Sequence, residues 1–384
     1  MISTFRKADR AASRAWVATR RAYATTAPAY SKGVGLGNVS DQMLPTEDER
    51  RGSAMFRHTA RPKTVSVIGA PMTHGQPYFG TDTGPGLLRR AELLSDLTSL
   101  GWRVNDVGDI DCVSPAEGGR DSDHAGAETD AARNSLHVGG GCERIANTVE
   151  GEIWAGRFPL IVGGDHSIAI GSLAGILRAR PDSGILWVDA HADLNTPEMS
   201  ESGNMHGMPI GLLMEGLMEG DCCASIPGLE WLDDDDAHGP RPRLKPSQVV
   251  YVGLRDVDRA ERAAISDLGI RAYTMYDIDH YGIGSVMDRA LQHLLAEDPD
   301  RPIHLSYDID AVDPIHAPAT GTAVRGGLTY REAHFIAEFA ANSGNLASAE
   351  IVEMNPTLSD GEGGEETVDL AKGIVTSLMG KSII

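Results

Sequence analysis

Long apolar runs are missing from this chain of 384 residues, and none of its segments approaches the ~20 apolar residues of a membrane-spanning helix. Cysteine is scarce as well. The four present, Cys112, Cys142, Cys222 and Cys223, show no CxxC spacing, and the adjacent pair is a poor metal clip. Neither a disulfide scaffold nor a thiolate metal site is expected, and reduced thiols in a reducing compartment fit best. Positive charge is in deficit too. Only 34 Lys and Arg face 55 Asp and Glu, and the net charge of −21 argues against a nucleic-acid backbone or an anionic membrane as partner. The glycines at 139–141 and the GxG at 33–35 follow no apolar strand, so neither opens a phosphate loop. No internal repeat is found. What remains, with 41% hydrophobic and 23% charged residues, is an ordinary globular composition, long enough for one large α/β domain or two smaller ones.

The N-terminus departs from this acidic character. Arg6, Lys7, Arg10, Arg14, Arg20 and Arg21 are opposed by Asp9 alone, and the next acid is Asp41. On a helix, Arg6, Arg10 and Arg14 share one face, and Phe5, Ala8, Ala12 and Trp16 line the other. An Arg-rich, acid-poor amphipathic start has the composition of an organellar transit peptide. Residues 1–30 are therefore expected to direct the protein to the mitochondrial matrix, with a basic tail on a cytoplasmic protein as the alternative. Residues 31–61 read as a linker in which disorder is allowed for, and 62–384 as a single catalytic domain.

From residue 62 onward, strand-like and helix-like segments alternate. Strands are predicted at 64–70, 102–108, 159–164, 184–190, 248–253, 270–274, 303–309 and 346–354. Helical patterns fall at 86–100, 131–155, 167–180, 207–219, 258–268, 284–296, 330–343 and 365–379. Near-continuous apolar strands alternating with amphipathic helices imply an α/β fold, a three-layer α/β/α arrangement with a largely parallel sheet of about eight strands. Segments 111–130 and 230–246 read as polar loops, and the DDDD run at 233–236 as a solvated stretch of charge.

Acids and histidines gather at the ends of three of these strands. ILWVDAHAD (185–193) presents Asp189, His191 and Asp193 at alternate positions, and IHLSYDID (303–310) does the same with Asp308 and Asp310. Alternate residues on a strand share a face. PLIVGGDHS (159–167) delivers His166. Four carboxylates brought this close require a compensating cation or must stay partly protonated. Oxygen and nitrogen ligands without a thiolate suit Mn²⁺ or Mg²⁺ before Zn²⁺. Six protein ligands are too many for one metal that keeps an open position, so a two-metal centre is expected.

The blocks around these residues are GGDHSIAIG (163–171), WVDAHADLNTPEMSESGNMHGMPIG (187–211), VYVGLRDVD (250–258), SYDIDAVDP (306–314), ATGTAVRGGLTYRE (319–332) and EIVEMNP (350–356). Together they resemble the ureohydrolase family, and its arginase branch rather than agmatinase, from about Val65 to Gly380. The resemblance implies hydrolysis of L-arginine to L-ornithine and urea with two Mn²⁺ per subunit. It implies that His166, Asp189, Asp193 and Asp308 hold one ion and Asp189, His191, Asp308 and Asp310 the other. It also implies that Glu353 pairs with the guanidinium, that His206 delivers a proton to the leaving amine, and that Asp193 accepts one from the attacking hydroxide. Asn195, Ser200 and Ser202, with Asn204 beside them, correspond to the loop that reads the α-carboxylate. Asp258 corresponds to the acid that reads the α-amino group, and Thr322 also falls in the substrate set. Assembly as a homotrimer or homohexamer is expected on the same ground. The alternatives are another guanidino substrate, such as agmatine or guanidinobutyrate, or a catalytically silent binding subunit.

Overall fold

The computed structural model describes residues 55–115, 130–218, 220, 223–234, 241–359 and 361–382. The transit-peptide segment and most of the linker lie outside them. A unit spanning Gly52–Ile384 is built on eight parallel strands. These are β1 (Thr64–Ala70), β2 (Arg103–Asp109), β3 (Phe158–Gly163), β4 (Gly184–Val188), β5 (Val249–Leu254), β6 (Arg271–Thr274), β7 (Ile303–Asp308) and β8 (Leu346–Val352). Each predicted strand is present. Their spatial order is β2-β1-β3-β8-β7-β4-β5-β6. The chain first builds outward from β1 to β2, then crosses over, and only at the end returns β7 and β8 to the middle. Ligands of such sheets gather at the carboxyl ends of the strands, where the order reverses. Here that region comprises β3, β8, β7 and β4.

Alternation along the strands separates two apolar layers. Val65, Val67, Leu160, Val162, Leu186 and Val188 pack into one cluster, and Ile68, Ile161, Ile185 and Trp187 into the other. The first layer is covered by α1 (Gly84–Arg90), α2 (Leu93–Ser99), and helices that follow later in the chain. The second is covered by α3 (Ser135–Trp154), α4 (Ala169–Ala179), α5 (Pro209–Leu213) and α6 (Arg259–Leu268). Helices α7 (Met275–Tyr281), α8 (Ile283–Leu294), α9 (Tyr330–Asn342) and α10 (Glu362–Leu378) complete the first side. Among the described residues no helix is long and apolar enough to cross a membrane. Cys112, Cys142 and Cys223 are buried and form no disulfide among the described residues, and burial pushes Cys112 up to about 12.

Several local expectations need correction. The helix expected over 86–100 is broken in two because Glu92 adopts the left-handed conformation at φ 65°. The helix expected over 207–219 shortens to five residues, since Met214 turns extended and pairs with Leu244, whose N–H donates to the Leu213 carbonyl at 2.8 Å. Helix α7 was not expected, its start being set by a Thr274–Asp277 capping box right after β6. Asp233, first of the acidic run, is buried and accepts from Arg243 Nη2 at 2.6 Å and Ala224 N at 2.8 Å. Residues 55–61, assigned to the linker by composition, pack on the domain. Phe56 is fully buried, 4.8 Å from the Trp102 ring and 5.7 Å from Phe158, edge on to both.

The same strap carries a titratable group. The His58 carbonyl accepts from Arg180 Nη2 at 3.0 Å, and burial together with the Arg180 and Arg57 charges lowers its imidazole to about 4. Between that value and the ordinary 6.5 the unfolded chain binds more protons than the folded one. Stability should therefore fall as pH drops from 6.5 toward 4, and His58→Gln should flatten part of that slope in urea unfolding followed across pH.

Candidate metal centre and substrate cleft

Strand register puts the chemistry on one level. Val188 pairs with Tyr307, Tyr307 with Ile351, and Val162 with Ile351, so β4, β7, β8 and β3 end side by side. Beyond these ends the side chains converge by a mechanism the sequence pattern did not reveal. Asp189 Oδ1 accepts from His191 N at 2.7 Å, and Asp308 Oδ1 accepts from Asp310 N at 2.7 Å. Each aspartate thus closes a turn over its own backbone two residues on. The chain leaves the strand at Val188 and at Asp308, so strand alternation does not bring these pairs together. The D-x-H and D-x-D spacings work because that is the span of the turn. Asp165 does the same at the end of β3, accepting from Ser167 N at 3.0 Å and presenting His166.

Two groups of ligand atoms result, one of His166, Asp189 and Asp308, the other of Asp189, His191 and Asp310, each set lying within 4.8 Å. Asp189 belongs to both. His166 Nδ1 stands 3.1 Å from one oxygen each of Asp189, Asp193 and Asp308. Yet this buried nitrogen makes no hydrogen bond to any of them. Equal distances without hydrogen-bond alignment are what donors around a shared cation would show, so the residues present fit a metal pair. His191 Nδ1 lies 3.0 Å from Asp310 Oδ2 and 3.4 Å from Asp189 Oδ1. The His166 ring is stacked on Trp187 at 4.2 Å, while Trp187 Nε1 donates to Asp189 Oδ2 at 3.0 Å.

The electrostatics agree with this reading. Burial and the charges of Asp310 and Asp189 push Asp308 well above the usual carboxylate range, and burial with Asp189 raises Asp193 to about 6. Burial alone would lower His166 and His191, but the carboxylates around them outweigh it and raise both. Protons on these groups are one way to balance the charge. Two divalent cations are the other, and they leave both imidazoles neutral and free to ligate.

A cavity of about 150 Å³ is lined by His191, Asp193, Asp308 and Thr322 together with Asn195, Ser200, Ser202, Asn204, His206 and Asp258. Every substrate residue named from sequence therefore meets this one cleft, save Glu353. Glu353 lies beneath it, buried, with φ 68°. Its Oε1 accepts from His166 N at 2.7 Å and meets His206 Nδ1 at 3.2 Å, and its Oε2 accepts from Gln76 Nε2 at 2.7 Å. Burial opposes ionisation of this pair, but their mutual attraction wins, holding Glu353 below the usual range and raising His206 to about 9. Thr322 donates to Asp310 Oδ2 at 2.9 Å, so it also orients a candidate ligand.

In the 200–204 loop, Ser200 Oγ accepts from Gly203 N at 2.9 Å and Ser202 Oγ from Asn204 N at 3.2 Å. Both hydroxyl protons stay available to an anion in the cleft. The loop is seated by Gly203, at φ 71°, whose Cα packs so closely on Asp130 O that no Cβ would fit. Asp258 accepts from Asn195 Nδ2 at 3.2 Å, and its backbone N–H donates to Glu261 at 2.9 Å. Glu261, Asp256 and Gln76 were missed from sequence. The first two stand in or near the GLRDVD block, but Gln76 belongs to no motif and reaches Glu353 only through the fold.

A model of the arginase family matches residues 63–380. The chain belongs to the arginase family. The arginase of Glaciozyma antarctica is 38% identical over 88% of this chain and 94% of its own. The crystal structure of Bacillus subtilis arginase superposes with a TM-score of 0.69 at 39% identity, covering 84% of this chain and all of that one. The Entamoeba histolytica arginase in complex with L-ornithine gives 0.68 at 28% identity, over 83% and 99%. Family membership, fold and the paired metal-capable groups thus point the same way.

The geometry separates the roles of the ligands. Asp189→Ala should abolish metal binding at both groups, because Asp189 belongs to both, whereas His166→Ala should weaken one. Elemental analysis of dialysed protein checks this, and two ions retained by the Asp189 variant would contradict the arrangement.

Proposed function

We propose that this chain hydrolyses L-arginine to L-ornithine and urea at a pair of Mn²⁺ held by His166, Asp189, Asp193 and Asp308 and by Asp189, His191, Asp308 and Asp310. The observation that carries the reading is one cleft lined both by His191 and Asp308 of the metal-capable groups and by the hydroxyls of Ser200 and Ser202 with Asp258. When bound, the ions supply a water acidic enough to attack near neutral pH. Glu353, kept ionised beneath the cluster, pairs with the guanidinium and sets its carbon over that water. Asp193 takes up a proton, and the His206 imidazolium returns one to the departing amine nitrogen.

Selection rests on the other lining residues. The Ser200 and Ser202 hydroxyls and the Asn195 amide receive the α-carboxylate, with Asn204 beside them, and Asp258 receives the α-amino group. Agmatine lacks the carboxylate and forgoes these hydrogen bonds, each worth about 1.5–3 kcal/mol to a charged group, more at the buried Asn195 than at the exposed Ser202. L-ornithine in the Entamoeba histolytica enzyme supports an amino acid as the ligand. We also propose that the enzyme assembles as a homotrimer or homohexamer.

Metal-stripped protein reloaded with Mn²⁺ should release urea from arginine and far less from agmatine or 4-guanidinobutyrate. Asp258→Ala should lower kcat/KM for arginine by roughly ten- to a hundredfold, the worth of one charge-assisted hydrogen bond, and spare substrates without an α-amino group. Agmatine turnover equal to that of arginine would overturn the specificity, and no turnover of any guanidine would favour a silent binding subunit.

The mitochondrial address is likewise a proposal, carried by the basic amphipathic face of residues 1–30. A fluorescent protein fused to these residues should collect in mitochondria and lose that location when Arg6, Arg10 and Arg14 become Glu. A wild-type fusion spread through the cytoplasm would refute it.

A further inference from the structure

On the side of His166 away from the carboxylates lies a closed polar network with no part in the steps above. His166 Nε2 meets Ser306 Oγ at 2.8 Å, and Ser306 Oγ donates to Glu350 Oε1 at 2.7 Å. Ser172 Oγ donates to Glu350 Oε2 at 2.6 Å. His304 Nε2 stands 3.4 Å from Glu350, and its Nδ1 meets Ser348 Oγ at 3.0 Å. Every member is buried, Glu350 and Ser348 at 1% exposure and Ser172, His304 and Ser306 at none. Burial alone would raise Glu350, but the His304 and Ser172 contacts outweigh it and hold the carboxyl below its usual range.

The bond directions then follow by elimination. An ionised carboxylate only accepts, so the protons of Ser306 and Ser172 both point to Glu350. With its proton committed there, Ser306 Oγ can offer His166 only a lone pair. The ring proton must sit on Nε2, and Nδ1, the atom 3.1 Å from three aspartate oxygens, is left bare. A carboxylate acting on a histidine ligand fixes the ring and raises its basicity. Here a serine stands between them. A buried carboxylate is costly to keep without such a use.

We propose that Glu350 is a positioning residue for the metal centre: through Ser306 it fixes the His166 tautomer, and its charge strengthens the ion that His166 holds. The inference rests on the metal-centre reading above. It also accounts for why Glu350 on β8, Ser306 and His304 on β7 and Ser172 on α4 meet at one point behind the cluster.

The test is Mn²⁺ titration of the metal-stripped full-length protein, followed by electron paramagnetic resonance, for wild type, Glu350→Gln, Ser306→Ala, the double variant and His166→Ala. Glu350→Gln should weaken one of the two Mn²⁺ sites by about 10–100-fold and leave the other within about a factor of two. Ser306→Ala should weaken the same site, and the double variant should be no worse than the weaker single, because both act through one hydrogen bond. Equal weakening of both sites in Glu350→Gln would overturn the proposal in favour of a merely structural role. So would unchanged affinities in a folded Ser306→Ala, which carries the test if Glu350→Gln does not fold. His166→Ala separates the two readings: if it keeps both sites, the metal assignment fails, and if it loses one while Ser306→Ala does not, only the relay fails.

Discussion

Four carboxylates buried within contact of one another are the constraint around which this molecule is organised. Like charges at that range resist burial, and the protein accepts them by surrounding them with imidazoles, backbone N–H groups and a shape suited to divalent cations. The position of the cluster follows from topology. Only where β7 and β8 are threaded back between β3 and β4 do four strand ends stand level with four different loops. Two non-glycine residues at this point, Asp193 at φ 48° and Glu353 at φ 68°, hold left-handed backbone. Such conformations cost of order 1–3 kcal/mol each and are kept where the surroundings over-determine them. Glu353 illustrates how: its backbone N–H is tied to the Gly164 carbonyl at 2.9 Å, and its carboxylate is held from three sides.

The cleft above the cluster is built differently, from loops that support one another. The 200–204 loop is seated on Asp130 and tied to Arg133 N by the Gly203 carbonyl at 2.9 Å, and His206 N is tied to the Gly75 carbonyl at 3.0 Å. Gly75 in turn donates to Asp165 at 2.8 Å, next to His166. The segment that lines the cleft is thereby coupled to the segment that presents a candidate metal ligand. Glu261 performs the same office on the other side, accepting from both Asp258 N and Leu194 N, so Asp258 and Asp193 are placed by one carboxylate. The metal-capable cluster and the cleft loops share these supports.

Six of the eight strands were legible because they are buried on both faces or nearly so, which gives short apolar runs; the partly exposed edge strands β2 and β6 were legible because Gly101 and Gly269 punctuate the chain just before them. Helical limits were less so. Glu92 breaks a periodic segment through its backbone conformation, and nothing in its side chain announces that. Asp233 belongs to a run of four acids that composition marks as solvated, yet Arg243 draws it inside. Phe56 looked like part of a polar linker, until Trp102 and Phe158, about fifty and a hundred residues further on, supplied the pocket for its ring. In each case the deciding partner is distant in sequence.

The sequence by itself determined the chemistry: His166, Asp189, His191, Asp193, Asp308 and Asp310 stand at strand ends, and two-residue spacings let local turns bring Asp189 to His191 and Asp308 to Asp310. Family-like blocks carried the 195–204 cleft loop and Asp258 in the same way, because their spacing is local. Tertiary structure alone decided which atoms face which. The sharing of Asp189 between two groups, the Gln76 contact to Glu353 and the Glu350–Ser306–His166 chain all join segments far apart in sequence. No local pattern encodes such meetings, since they depend on which strands the sheet makes neighbours and on the register at which those strands end.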